Sequence, residues 1–482
     1  MSIPPRTRLQ AARRPAAILL LVVVPGASSP WHPLTSSASI TLTPASSTQT
    51  AVPTVAAAAC RGSSASDYNG DGTADLAAGA PYATVGGAHR AGSVAVRYGG
   101  GPATRLTQQG GAERGDGFGA ALASGDFDGD RCADLAVGVP EEFAGNRVPG
   151  AEGHGAVQIY LGSRQGLRAG PLLNVRALGR AYATDRFGAA LAAADLDRDG
   201  DAELAVGAPG LKGGGGVAVF GLRGRGLRPG PLMQQGTRWV GQNPAETDGF
   251  GTVLTTGDFD GDRRPEIAVG APNDGPKGEG SVTILDPLAG KADYISQSEP
   301  GVGGTPERLD GFGTALATAD FDGDRRADLA VGVPGEDGGG KAAVGYTQGA
   351  VQILRGPLMR QSGPTWTGRW KPRHYDRFGA ALAAGDLTAD GRPDLAVGAP
   401  GRSAVNVLRG ASGGLTGTKA LTYVSPFGSV GQFGWSLAIR HRGKRGDLFI
   451  GAPGAHTYAG AVTQAATPLD LAARGLTGYS LG

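Results

Sequence analysis

Seven short stretches of this chain are apolar at almost every position, and each closes on a Gly-x-Pro triplet. The clearest is Asp134-Leu135-Ala136-Val137-Gly138-Val139, closed by Pro140, and the others close at Pro81, Pro209, Pro272, Pro334, Pro400 and Pro453. A run that is apolar on both of its alternating faces predicts a strand covered on both sides. Before it comes a short Ala- and Gly-rich stretch, Phe118 to Ser124, which predicts a first strand. After it comes a partly alternating third strand, Gly155 to Leu161, with counterparts at Ser93 to Tyr98, Ser281 to Leu285 and Ala350 to Leu354. A weaker fourth strand fills the space before the next copy. No segment keeps a 3.6-residue period with caps, which excludes a helical array.

Phe-Gly marks each unit, at Phe118, Phe187, Phe250, Phe312, Phe378 and Phe433. In the five copies from Phe118 to Phe378 the Phe stands eight positions before an Asp, and the closing Pro fourteen after it. Loop starts are 59, 69, 63, 62 and 66 residues apart. Fixed spacing inside and variable spacing between marks a packed unit joined by surface loops. Four strands in about sixty residues, seven times over, predict an all-β seven-bladed β-propeller of about four-stranded antiparallel blades. The glycine of Phe-Gly is expected to let neighbouring sheets approach, with the Phe filling the gap between blades.

Both ends are irregular. The first unit has Ala59-Cys60 where Phe-Gly is expected, which would place Cys60 near the start of an inner strand. The last keeps Phe433-Gly434 and Gly451-Ala452-Pro453, but its loop is two residues shorter. That loop reads Arg440-His441-Arg442-Gly443-Lys444-Arg445-Gly446 and retains only Asp447 from the acidic set, so it is too basic to hold a cation.

Between the first and second strands lies the loop D-x-[DNT]-x-D-x-x-x-[DE], with acids at positions 1, 3, 5 and 9. Such a loop curls so that alternate carboxylates point inward, as a hard divalent cation requires. The first two ligand sets are Asp67, Asn69, Asp71, Thr73 and Asp75, then Asp126, Asp128, Asp130, Cys132 and Asp134. The third and fourth are Asp195, Asp197, Asp199, Asp201 and Glu203, then Asp258, Asp260, Asp262, Arg264 and Glu266. The fifth and sixth are Asp320, Asp322, Asp324, Arg326 and Asp328, then Asp386, Thr388, Asp390, Arg392 and Asp394. Position 7 would offer its backbone carbonyl and position 9 a bidentate carboxylate, giving five to six Ca2+ sites. Thr388 makes the sixth set the weakest. An EF-hand is excluded, because position 12 is Ala78, Val137, Val206, Val269, Val331 or Val397 rather than a Glu. Turn capping by Asp and Asn side chains would account for one or two acids per loop, not four.

Composition refines this picture. Most of the 86 glycines hold fixed places in the repeat, so with 32 prolines they read as tight turns. A formal charge of +2 gives no reason to expect nucleic acid or an anionic membrane as partner. Arg6, Arg8, Arg13 and Arg14 precede an apolar run from Ala16 to Val24 and then Pro25-Gly26-Ala27, which reads as a signal peptide over 1–27. The run is too short to span a bilayer, and the residues around Arg13-Arg14 match a twin-arginine signal poorly. Residues 28–58 read as a disordered Ser/Thr/Ala/Pro linker and 59–482 as the propeller. A secreted monomer without a transmembrane segment is expected, with cell-wall association left open. Cys60 and Cys132 suit a disulfide in an oxidising compartment. The repeat register sets them at different strand ends, and a bridge needs Cα atoms within roughly 7 Å. Pairing and two buried thiols both stay open.

Phe-Gly, the D-x-D-x-D loop and Gly-Ala-Pro together resemble FG-GAP repeats, as in the propeller of integrin α chains, over about residues 59 to 466. The chain looks like a bacterial-type secreted relative. The resemblance implies calcium in the loops of one face and ligand recognition on the opposite face. No segment resembles an integrin leg, inserted domain or membrane span, so receptor signalling is not expected. Glycosylphosphatidylinositol-specific phospholipase D also carries such repeats, with its chemistry in a separate domain that has no counterpart here.

Catalytic signatures are weak. Gly410-Ala411-Ser412-Gly413-Gly414 matches G-x-S-x-G but occupies the turn that Gly162 to Gly166 occupies elsewhere, so a glycine-rich hairpin is the better reading. The six histidines are scattered without zinc spacing. Arg-Gly-Asp occurs at Arg114 to Asp116 and Arg445 to Asp447, as chance allows in such a composition. Recognition candidates are Glu141 to His154, Trp239 to Asp248 and Trp366 to Asp376, with Trp239, Trp366, Trp370, Arg373, His374 and Tyr375 as anchors or as packing. The expected function is a non-catalytic binding or adhesion module for an extracellular protein or glycan. The alternatives are a hydrolase or lyase of polysaccharide or phospholipid type working in the propeller funnel, and a structural envelope protein.

Overall fold

The apolar runs become the second strand of each blade because neighbouring sheets cover both of their faces. All six residues of Asp134–Val139 are buried, as are those of Glu266–Ala271, Asp328–Val333 and Asp394–Ala399. A computed structural model describes residue 60, 66–142, 153–174, 185–221, 226–337, 348–355, 361–362, 375–428, 431–442, 445–455, 460–465, 467–468 and 480–481. The predicted leader and linker lie outside the described residues, as do Trp366, Trp370, Arg373 and His374.

Seven four-stranded antiparallel sheets form a seven-bladed β-propeller. The first holds β1 (Leu76–Ala80), β2 (Ser93–Arg97) and β3 (Ala103–Leu106). The second is β4 (Leu122–Gly125), β5 (Asp134–Val139), β6 (Ala156–Leu161) and β7 (Arg168–Asn174). The third is β8 (Ala190–Ala194), β9 (Glu203–Gly207), β10 (Val217–Phe220) and β11 (Pro229–Met233). The fourth is β12 (Val253–Gly257), β13 (Glu266–Ala271), β14 (Ser281–Asp286) and β15 (Lys291–Ile295). The fifth is β16 (Ala315–Ala319), β17 (Asp328–Val333), β18 (Ala350–Arg355) and β19 (Gln361–Ser362). The sixth is β20 (Ala381–Gly385), β21 (Asp394–Ala399), β22 (Ala404–Ala411) and β23 (Gly414–Val424). The seventh is β24 (Ser436–Arg442), β25 (Arg445–Ala452), β26 (Ala461–Gln464) and β27 (Thr467–Pro468). Within blades two to seven each strand pairs with its neighbour in sequence, and the first strands touch one another around the ring.

The first blade borrows its innermost strand. β28 (Ser480–Leu481) pairs with β1, Ala78 opposite Leu481 and Gly79 opposite Ser480. Ser480 Oγ also donates to the carbonyl of Gly119 in the second blade, at 2.7 Å, which closes the circle. With that slot filled, Cys60 does not start an inner strand as the register suggested. It sits against Gly70 in the first loop and is disulfide-bonded to Cys132 in the second, with Cα atoms 5.1 Å apart. The 72-residue separation makes this cross-link worth about 4 kcal/mol in the chain-entropy limit.

Phe-Gly and Gly-x-Pro are two halves of one contact. A Cβ on Gly138 would meet the carbonyl oxygen of Gly188 in the next blade at 2.1 Å, and one on Gly207 would meet that of Gly251 at 2.1 Å. The same approach recurs from Gly270 to Gly313, Gly332 to Gly379 and Gly398 to Gly434. Beside it the Phe fills the seam: Phe187 joins Ala136, Val157 and Ile159 of the second blade to Leu204 and Val206 of the third. Phe118, Phe250, Phe312, Phe378 and Phe433 do the same at their seams. The first strand is shorter than Phe118 to Ser124, because Gly119 takes φ +90 and Phe118 instead bridges Gly92 of the preceding blade. Gly207→Ala should destabilise the ring by about 1–3 kcal/mol through overpacking, and Phe250→Ala by about 3–5 kcal/mol through a cavity, both read by urea denaturation. Changes within measurement error would show that the seams do not hold the blades.

Candidate metal centres

The six loops curl because positions 4 and 6 take left-handed backbone in every copy. These pairs are Gly70 and Gly72, Gly129 and Arg131, Arg198 and Gly200, Gly261 and Arg263, Gly323 and Arg325, and Ala389 and Gly391. The position-1 carboxylate gathers the amides this exposes. Asp126 Oδ1 accepts from Gly129 N at 2.8 Å and Asp130 N at 3.1 Å, and its Oδ2 from Arg131 N at 2.8 Å. Position 3 then accepts from position 5, and position 5 from position 7, as Asp130 Oδ1 does from Cys132 N at 2.8 Å. Turn capping is therefore real, but it leaves lone pairs on every carboxylate.

Position 9 is the anchor. Asp134 is fully buried; its Oδ2 accepts from Phe127 N at 2.8 Å and its Oδ1 from Gly162 N, beyond the third strand, at 2.7 Å. Asp75 does this with Tyr68 N and Gly99 N, and Asp394 with Leu387 N and Gly410 N. Glu203, Glu266 and Asp328 accept from Leu196 N, Phe259 N and Phe321 N. In Asp75, Asp134 and Asp394 one lone pair per oxygen serves the backbone and one remains, whereas Glu203 Oε2 and Asp328 Oδ2 each accept from two amides.

Four loops bring three acids together, each giving an oxygen within 4.8 Å of the others. These are Asp126, Asp128 and Asp134; Asp195, Asp197 and Asp199; Asp258, Asp260 and Asp262; and Asp320, Asp322 and Asp328. The first and sixth loops, with Asn69 and Thr388 at position 3, form no such group among the described residues. Arg264 at position 7 turns its guanidinium onto Asp262 Oδ2 at 2.6 Å and holds that carboxyl below its usual range. In the basic seventh loop β24 and β25 simply extend as a hairpin, with Arg440 opposite Asp447.

Burial pushes the anchor carboxyls up: Asp134 to about 8, Asp75 to about 6, and Glu203, Glu266 and Asp328 to about 7. Asp322 adds repulsion at Asp328. Such a group holds its proton more tightly folded than unfolded. Its contribution to stability is complete below the unfolded pKa of about 4 and is lost as pH rises through the folded value. In EDTA the Tm should therefore fall between pH 5 and pH 8, and a divalent ion replacing the protons should remove the decline. A Tm in EDTA that rises over this interval would contradict the burial argument.

Other sequence candidates fall into place. Ala411 pairs with Gly414, so the G-x-S-x-G stretch is a β-hairpin turn, and Gly410 N is spent on Asp394. Asp116 of the first Arg-Gly-Asp is fully buried and accepts from Glu113 N at 2.6 Å. Trp239 packs partly buried against the core, whereas Tyr375 is 59% exposed. A second acidic series went unread in the sequence. Asp116, Asp185, Asp248, Asp310 and Asp376 each stand two residues before the repeat Phe and are all buried, on the face away from the loops. Their constant offset was the available signal.

The FG-GAP repeat family matches residues 61–96, 118–160, 187–220, 250–285, 312–354 and 378–415. The chain is similar to integrin alpha-PS2 of Drosophila melanogaster, 34% identical over 240 residues, covering 46% of this chain and 15% of the relative. It is similar to integrin alpha-IIb of Homo sapiens, 33% identical over 286 residues, 53% of this chain and 26% of the relative. Phosphatidylinositol-glycan-specific phospholipase D of Homo sapiens is 29% identical over 392 residues, 73% of this chain and 44% of the relative. The chain thus spans less than half the length of each. Among solved structures, an exotype rhamnogalacturonan lyase is 15% identical with a TM-score of 0.39, over 79% of this chain and 64% of that one, a likeness too slight to bear on function. No helix among the described residues is long and apolar enough to cross a membrane.

Proposed function

Because the chain is an FG-GAP repeat protein with an integrin-like propeller, we propose that it is an exported, calcium-stiffened binding module that takes a protein or glycan ligand without chemistry. One observation carries the reading. Leu309 and Tyr375 are 57% and 59% exposed and adopt left-handed backbone, φ +65 and +63. They hold the same place in the fifth and sixth blades, each just before the buried Asp that precedes Phe-Gly. Those blades touch through β16 and β20. A bulky residue in this conformation costs of order 1–2 kcal/mol, and an exposed side chain recovers little of it by packing. Two apolar side chains held out on one face suit recognition anchors.

The calcium part rests on the loops. Positions 1, 3, 5 and 9 supply carboxylates, save for the Asn69 amide and the Thr388 hydroxyl at position 3 of the first and sixth loops, and Thr73, Cys132, Asp201, Arg264, Arg326 and Arg392 supply position-7 carbonyls. Ion binding would stabilise the ring by mass action. Export is supported by the Cys60–Cys132 disulfide, a bond that persists in oxidising compartments. Residues 1–27 serve as the leader, 28–58 as a spacer and 59–482 as the binding domain.

Protein and glycan arrays probed with the full chain, with and without chelator, test this. A ligand should bind only with Ca2+, and Leu309→Ser with Tyr375→Ser should weaken it at least tenfold while leaving stability within about 0.5 kcal/mol. Hydrolysis or eliminative cleavage of an arrayed polymer, or undiminished binding by the double variant, would overturn the reading. Asp260→Asn with Asp262→Asn should lower the Ca2+ stoichiometry by one in equilibrium dialysis.

A further inference from the structure

The loops do not hold all of the clustered acids. On the opposite face, at the junction of the fourth and fifth blades, Glu307, Glu336 and Asp337 each present a carboxylate oxygen within 4.8 Å of the others. Asp310, 1% exposed, stands directly behind, its Oδ2 accepting from Glu307 N at 2.6 Å, and it feels the charges of Glu336, Asp337 and Glu279.

The second and fourth blades also set an acid two residues after the closing Pro, Glu142 and Asp274, and the sixth blade shows another way of filling this place. Asp376 is the counterpart of Asp310, two residues before the repeat Phe. Arg402, two residues after the closing Pro, pairs with it, Nη1 to Oδ2 at 2.8 Å. In the fifth blade the residue two after the closing Pro is Glu336. An acid stands where the neighbouring blade sets a guanidinium.

A separate observation comes from the fourth blade. Gln297, just beyond β15, is 5% exposed, and its Nε2 donates to Glu336 Oε2 at 3.1 Å, which sets the amide head in the acidic group. That bond fixes the amide's polarity, and Oε1 is left buried with no hydrogen-bond partner. Glu307 Oε2 is likewise buried without a partner. Buried acceptors left unmet are costly, and an all-oxygen set of carboxylates plus an amide carbonyl is the donor chemistry of a hard divalent cation. Magnesium prefers a near-octahedral site with several retained waters, whereas donors from two blades suit calcium's looser shell.

We propose that Glu307, Glu336, Asp337 and Gln297 bind a calcium-type divalent cation, distinct from the loop ions, that takes the place of the Arg402 guanidinium and fastens the fourth blade to the fifth. Equilibrium dialysis of the full chain against Ca2+ should show one ion fewer for Glu307→Gln with Asp337→Asn, and one fewer for Glu336→Arg. In EDTA, Glu336→Arg should melt no lower than the parent, because the new guanidinium replaces the ion. Stoichiometry unchanged in both variants overturns the proposal. If either variant fails to fold, anomalous difference density from crystals of the parent grown in Ca2+ decides instead. A peak among the three carboxylates supports the site, and its absence overturns it. A peak here with empty loops would overturn the loop sites and leave this one standing.

Discussion

The ring depends on bare backbone meeting bare backbone at the blade seams. Where the second-strand glycine of one blade faces the Phe-Gly carbonyl of the next, even one methyl group would sit about 2 Å from an oxygen. This contact sets how near adjacent sheets lie, and that distance sets which side chains fit between them. Alanine and valine line the strands because the gap is narrow, and one Phe per seam fills the space that remains. Close packing of this kind transmits small displacements, so a misfit at one junction is felt at the next.

The loops inherit their shape from the same framework. A buried carboxylate at position 9 ties the loop to its own second strand and to the turn beyond the third strand. The acids at positions 1, 3 and 5 then fold over it through bonds to backbone amides. The charge is concentrated before any ion arrives, and burial makes that concentration costly for the ionised forms. Cation affinity and proton affinity at the loops are therefore two readings of one electrostatic stress. On the opposite face two acids are met by arginines instead, buried Asp376 by Arg402 and half-buried Glu141 by Arg186.

Much of this was legible in the residues because the repeat spacing is rigid where the structure is rigid. The second strand Asp134–Val139 falls where its apolar run does, and four of the six acidic loops bring three of their four acids together, leaving out Asp130, Glu203, Glu266 and Asp324. Strand starts were less legible. Phe-Gly looks like the first residues of a strand, but its glycine needs φ near +90, so regular pairing begins only at Leu122. Ring closure left no trace, since Ser480–Leu481 is too short to carry a pattern. The disulfide stayed open for the same reason: the borrowed strand displaces Cys60 from its apparent register. Exposure at Leu309 and Tyr375 depends on backbone dihedrals that no apolar pattern encodes.

The borrowed strand also bears on the order of events during synthesis. Six blades are local meanders that can pair as soon as their sixty-odd residues emerge, but β1 must wait for a partner some four hundred positions downstream. Until Ser480 and Leu481 are made, the first sheet keeps an unpaired inner edge and the assembly is an open arc. Contacts so distant in sequence form late, because loop-closure entropy must be met before they give anything back. The nascent chain therefore carries an exposed strand edge through nearly all of its translation, the condition under which chaperones and translocation machinery have most to shield.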